Sequence, residues 1–231
     1  SQNPLLLKDI FPGNNSGTIQ QIVKTSNYTF FNENDGGVAT DRSLYRTDGT
    51  SIGTIKLNLT YPGYASTKAD KLTAFGNKIV FAGDNKANYG EIWSSDGTQA
   101  GTVAIERFQP VNNKVPVVEI NSMGNYAYYS VIDKDAGNIN RAYLRRTDGT
   151  VAGTSLVYDF SAFTGIPQVV FLTPMKGILY FIVYDQGGTG TDQLWRSDGT
   201  NAGTYMVFDF TTANAVASFL MVAGNNIYFH P

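Results

Sequence analysis

The stretch Arg196–Phe210, "RSDGTNAGTYMVFDF", is nearly copied three more times along the chain, as "RTDGTSIGTIKLNL", "SSDGTQAGTVAIERF" and "RTDGTVAGTSLVYDF". The four Asp-Gly-Thr triplets are Asp48-Gly49-Thr50, Asp96-Gly97-Thr98, Asp148-Gly149-Thr150 and Asp198-Gly199-Thr200, with spacings of 48, 52 and 50 residues. A catalytic residue is needed once, whereas a turn that shapes a building block is needed in every block. The repeat therefore speaks of architecture before chemistry. A period near 50 is long for leucine-rich or ankyrin units and falls in the range of propeller blades.

Other markers keep step with the triplet. An aromatic strand follows a Gly- or Asn-containing turn in "SNYTFF", "GNKIVFAG", "GNYAYYSV", "GILYFIV" and "GNNIYFHP". An apolar stretch precedes each of these, as in "KLTAF" or "QVVFLTP"; a polar loop, a short strand ending near "EIW" or "QLW", the triplet and a last strand follow in each complete unit. That makes four short strands per period, with no sustained 3.6-residue pattern. The expectation is an all-β fold, a β-propeller-type array of four-stranded antiparallel blades forming a partial propeller.

The whole chain, 1–231, reads as a single repeat region. A last blade strand falls at 1–13, four blades at about 18–60, 68–109, 115–161 and 166–211, and the first half of another at 215–231. First strands are expected to be crowded on both faces, and the last strand to alternate. In "TSLVYDF", Thr154, Leu156 and Tyr158 would face one way and Ser155, Val157 and Asp159 the other. The strand count leaves the final blade without its third strand, so the expectation is a longer protein of which this is the N-terminal piece, with an apolar blade face to be covered.

Composition narrows the function classes. Lys plus Arg total 17 against 19 Asp plus Glu in 231 residues, so no basic excess is present for a phosphate backbone and nucleic acid is not an expected partner. Apolar runs such as "ILYFIVY" are far shorter than the roughly 20 residues that span a bilayer as a helix, so no transmembrane segment is expected. The absence of cysteine excludes disulfides and thiolate chemistry. The opening "SQNPLLLKDI" has neither an initiator Met nor a signal-type apolar core, and reads either as a mature terminus left by export, the favoured expectation, or as an artificial boundary.

The triplet has a direct physical reading. Asp bonds the amides that follow it, Gly accepts positive φ, and Thr adds a hydroxyl. A second Gly-Thr follows at Gly53, Gly101, Gly153 and Gly203, making a double turn between the third and fourth strands. Tyr45, Trp93 and Trp195 stand three residues before the Asp, with Arg145 in the third copy. Rings at that place are expected to fill the wedge between blades.

With these residues in view, "EIWSSDGTQAGT" and "QLWRSDGTNAGT" resemble the ELWxxDGT repeat family of bacterial exported proteins, mostly from Bacteroidota. The likeness covers essentially the whole chain. Gln193 replaces the Glu that Glu91 supplies, and "RSLYRT" and "AYLRRT" depart further from the pattern. The resemblance implies a secreted or cell-surface propeller-like protein, a possible client of type IX secretion, linked in some members to adhesion or gliding. It carries no catalytic residues.

Searching the residues for chemistry returns little. His230 is the only histidine, so a Ser-His-Asp triad would depend on it. A glycosidase pair could use Asp133, Asp135 or Asp185, whose separation the sequence does not set. The acidic loops fit no calcium-binding pattern; "DKDAG" supplies two ligand positions, and a solvated loop is the simpler reading. Tyr61, Tyr64 and Tyr89 are candidates for stacking on sugar rings, or for packing over blade edges. The expectation is a protein that is not an enzyme and holds no metal or cofactor. It would act at the cell surface on another protein, with an outer-membrane or secretion component as one possibility. A lectin-like module binding polysaccharide is the alternative.

Overall fold

The computed structural model describes residues 5–10, 17–34, 42–61, 64–65, 68–84, 90–108, 117–134, 139–163, 166–186, 192–210 and 219–229. It is all-β. The first sheet holds β1 (Ile19–Lys24), β2 (Thr29–Asn34), β3 (Arg42–Thr47) and β4 (Ile55–Leu57). A small hairpin, β5 (Thr60–Tyr61) and β6 (Tyr64–Ala65), precedes the second sheet: β7 (Asp70–Phe75), β8 (Lys78–Asp84), β9 (Gly90–Ser95) and β10 (Val103–Phe108). The third comprises β11 (Val117–Met123), β12 (Tyr126–Lys134), β13 (Asn140–Thr147) and β14 (Ser155–Asp159). The fourth comprises β15 (Ile166–Met175), β16 (Ile178–Gln186), β17 (Asp192–Ser197) and β18 (Tyr205–Asp209), and a two-stranded sheet of β19 (Leu220–Ala223) and β20 (Asn226–Phe229) follows.

Each four-stranded sheet is an antiparallel meander in chain order. Successive sheets approach most closely through their first strands, β1 to β7, β7 to β11, β11 to β15 and β15 to β19. First strands gathered together with fourth strands outward is the arrangement of propeller blades, here a partial propeller. Apolar clusters lie between successive sheets. Phe30, Leu44 and Leu57 of the first sheet pack with Ile79, Phe81 and Trp93 of the second, and the pattern recurs at the next two interfaces.

Several features depart from the sequence expectation. Leu5–Ile10 form no strand; Leu5 and Leu6 are exposed, and the segment is tied down by Lys8, which donates to the Thr54 carbonyl at 2.7 Å. A strand needs a neighbouring strand to pair with, and among the described residues no ladder includes this segment. The first strands are only partly buried, with burial at about every third residue in β7. The second and third strands carry the core instead, as Leu179, Phe181, Ile182 and Val183 of β16 and all six residues of β9 show. Mid-sheet strands have ladder partners on both edges and a blade on each face, whereas the first strand borders the axis.

Alternation in the last strand also fails at one point. In β14, Arg145 faces Leu156 and Leu144 faces Tyr158, which leaves Val157 as an extra residue, a β-bulge. Val157 is buried while Leu156 is exposed, so the bulged residue is the one that enters the core. The same skip recurs around Ile105 and Val207.

Candidate interaction surface

The four turns are built alike. In the second, the Asp96 carboxylate accepts from the Thr98 amide at 2.8 Å and from the Thr98 hydroxyl at 2.7 Å. The Thr98 hydroxyl accepts in turn from the Gly101 amide at 2.9 Å, and the Thr102 hydroxyl donates to the Thr98 carbonyl at 2.7 Å. Gly97 takes φ of +89°, which a side chain resists. The second glycine answers to a different demand. A Cβ at Gly53, Gly101, Gly153 or Gly203 would fall inside the carboxylate of its own turn. The turn's Asp, Thr and glycines are thus consumed in holding one another.

Burial pushes the Asp96 carboxyl up, but the Thr98 amide and hydroxyl outweigh it and hold it below the usual carboxylate range. The Thr hydroxyl is the leading cause of the same lowering at Asp48, Asp148 and Asp198. A carboxylate with a lowered folded pKa stabilises fully above its unfolded value and loses that contribution as pH falls through the folded one. Glu119 has the opposite sign. Burial raises its pKa, so its charged form opposes folding at neutral pH and that penalty disappears as pH falls through its raised folded value. Its oxygen accepts from the Leu172 amide of the next sheet at 3.2 Å, where Gln21 accepts from Leu72 at the same distance across the first interface. Glu119→Gln is therefore expected to keep the bond and raise the melting temperature at pH 7. The gain should vanish near pH 4, where Glu119 is protonated in the folded protein, while the four turn carboxylates, held below the usual range, keep their charge there; a uniform loss across pH would refute this.

Trp93 lies between the first two sheets at 1% exposure, stacked on Phe81 with centroids 6.2 Å apart. Its indole donates to Glu91 at 2.9 Å, and Trp195 donates to Gln193 at 3.0 Å. Gln193 accepts the bond as Glu91 does, which accounts for either residue preceding the tryptophan. Trp195 packs on Tyr158 and Phe160 of the third sheet, while Tyr45 stacks on Phe31 of its own.

Arg145, where the wedge ring is missing, makes an ion pair instead. It donates to Glu106 of the second sheet at 2.9 Å, and the Tyr129 hydroxyl donates to the same carboxylate. Burial, then the Glu106 charge, drives the Tyr129 pKa far above the normal phenol value. At the first and third interfaces an arginine clamps the next turn. Arg46 donates to the Gly97 carbonyl at 2.9 Å and Arg146 to the Gly199 carbonyl at 3.0 Å, while their guanidinium groups lie over Tyr28 and Tyr126. The sequence reading did not find these clamps; the Arg two residues before the Asp in three copies was their available signal.

The fourth sheet presents such a face uncovered. Val207 is 48% exposed, whereas its equivalents Leu57, Ile105 and Val157 are 1%, 6% and 2% exposed. Tyr205, Met206 and Phe208 are exposed beside it, as are Met221, Tyr228 and Phe229 on the following hairpin. That hairpin covers only the inner part: Phe229 meets Phe210 edge-on at 4.9 Å, and Phe210 is buried.

The remaining candidates are dispersed. Tyr61 and Tyr64 face one another in the backbone ladder of the β5–β6 hairpin, a strand pair where the sequence suggested loop. Tyr89, Asp135 and His230 lie outside the described residues, and Asp185 is described in its backbone alone, within β16. Asp133 accepts from the Lys134 amide at 2.8 Å. Among the described residues no three His, Asp or Glu side chains gather, and no helix is long and apolar enough to cross a membrane.

No family model matches the chain, and no curated protein does. Among solved structures, a prolyl endopeptidase is 13% identical over 92% of this chain and 38% of its own, with a TM-score of 0.47. The β-propeller domain of the Trilobed protease from Pyrococcus furiosus is 8% identical over 92% of this chain and 77% of its own, with a TM-score of 0.44. An α-L-arabinofuranosidase from Clostridium thermocellum is 14% identical over 90% and 79%, with a TM-score of 0.35. The chain thus spans well under half of the endopeptidase's length, and likeness at this level carries nothing about activity.

Proposed function

We propose that this chain is a non-enzymatic, exported repeat segment of the ELWxxDGT type that works by binding another protein at the cell surface, in adhesion, gliding or secretion-associated assembly. The observation that supports it is the open apolar face of the fourth sheet. Contiguous exposed apolar side chains on a folded protein mark protein contacts. The four turns, by contrast, spend their polar groups internally, which favours scaffold over chemistry. A lectin-like module is the second reading, resting on Tyr61 and Tyr64 sharing one small hairpin. Cross-linked affinity purification of the natural protein from its source cells, with Val207→Asp as a paired bait, tests the first reading. A stoichiometric envelope protein lost on the substitution supports it. Recovery of the protein alone, with binding on a glycan array, transfers the reading to the lectin.

A further inference from the structure

Within this molecule, each interface that is complete shows what a sheet asks of its successor. Leu57, Ile105 and Val157 are each buried in the cluster shared with the next sheet, which at the first and third interfaces includes that sheet's third-strand tryptophan. Arg46 and Arg146 donate to the carbonyl of the next sheet's turn glycine. Gly97 and Gly199 lie so close to the preceding sheet that a Cβ would meet Tyr28 and Tyr128.

The fourth sheet holds the donor half of this arrangement without the acceptor half. Arg196 occupies the position of Arg46 and Arg146, and its Nε is buried with no hydrogen-bond partner among the described residues. Its guanidinium lies over Tyr205, 5.1 Å from the ring centroid. A buried guanidinium N–H left unpaired is costly, so the site favours an occupant that brings a carbonyl. Val207, at the tryptophan-facing position, stands open. Among the described residues, β20 pairs with β19 alone. Where the second sheet has Glu106 to receive Arg145, the fourth has Phe208, which suits a ring and not a cation.

We infer that the open face of the fourth sheet receives a β-hairpin of the chain's own repeat type, a third and fourth strand joined by an Asp-Gly-Thr-x-x-Gly-Thr turn with an aromatic residue three before the Asp. The hairpin pairs with β20, its ring covers Val207 and Phe208, and its turn-glycine carbonyl accepts from Arg196. The inference rests on reading this face as protein-binding and names the partner's chemistry.

The probe is a copy of Gly90–Phe108, used both as a free peptide and joined to the C terminus of the full chain by a flexible Gly-Ser linker, which raises its local concentration to the millimolar range. The expected result is saturable one-to-one binding of the free peptide by the chain. In the linked protein, the amides of β18 and β20 should become protected from hydrogen exchange, with a higher melting temperature. Arg196→Ser, which installs the residue found at Ser94, should weaken binding about tenfold without unfolding the chain, as should Trp93→Ala in the probe. Absence of protection in the linked protein overturns the inference, as does self-association of the chain through this face that the peptide cannot displace. If the hairpin fails while Val207→Asp still releases a natural partner, the occupant is wrong and the protein-binding reading stands.

Discussion

Gly101→Ala is expected to destabilise the protein by about 3 kcal/mol in urea unfolding, at the upper end of what one inserted methyl does in a packed site. The cause is contact and not conformation. Gly101 does not adopt positive φ, but its Cβ would occupy the space of the Asp96 carboxylate. That carboxylate cannot withdraw without giving up both bonds to Thr98. Asp96→Ala removes the obstacle and costs roughly 1 kcal/mol for lost, largely exposed turn bonds. The two substitutions should therefore be strongly non-additive: the double variant should be no worse than Gly101→Ala alone. Strict additivity would mean that the glycine serves some purpose other than making room for the Asp.

That distinction marks how far the sequence could be read. Recurrence of Asp-Gly-Thr and Gly-Thr locates the turns and, with four strands per period, the blade. Recurrence does not separate the two glycines, one chosen for φ and one for proximity, because both appear as an unvarying letter. The bulges at Ile105, Val157 and Val207 were hidden for a related reason. Counting along a strand assumes one residue per rung, and a bulge sets two against one. The Leu5–Ile10 segment shows the reverse limit: its apolar letters match a fourth strand, but a strand is a relation between two segments.

What lies between blades was the least legible, since each contact joins residues about one period apart. The interfaces also differ in kind. The first and third use an arginine clamp on the turn and a Gln21 or Glu119 latch near the axis, whereas the second uses the Glu106–Arg145 pair. A shared latch is why the charge at Glu119 is expected to be dispensable: its counterpart Gln21 makes the bond without one. In the sequence, Arg145 looked like a lapse from the aromatic pattern. It is half of a different interface, whose other half, Glu106, sits in the previous repeat.

Trp93→Ala is expected to cost about 4 kcal/mol, in the range for emptying a large aromatic from a core. The ring is almost fully buried, and Gly83 lies beneath it where a Cβ would meet the indole, so the neighbours have little freedom to collapse into the space. Its loss also takes the indole donor from the buried Glu91 carboxylate. The location of the damage tests the argument more sharply than its size. Repeat arrays are held by nearest-neighbour interfaces, so a residue lodged between two sheets should weaken both. Hydrogen exchange should therefore accelerate in β2 and β3 as well as in β8 and β9, with the fourth sheet much less affected. Acceleration confined to the second sheet would show that Trp93 supports its own blade alone. The wedge would then owe its cohesion to the aliphatic contacts of Leu44 and Leu57, and the recurring aromatic before the turn would be a feature of each blade and not of the joint between them.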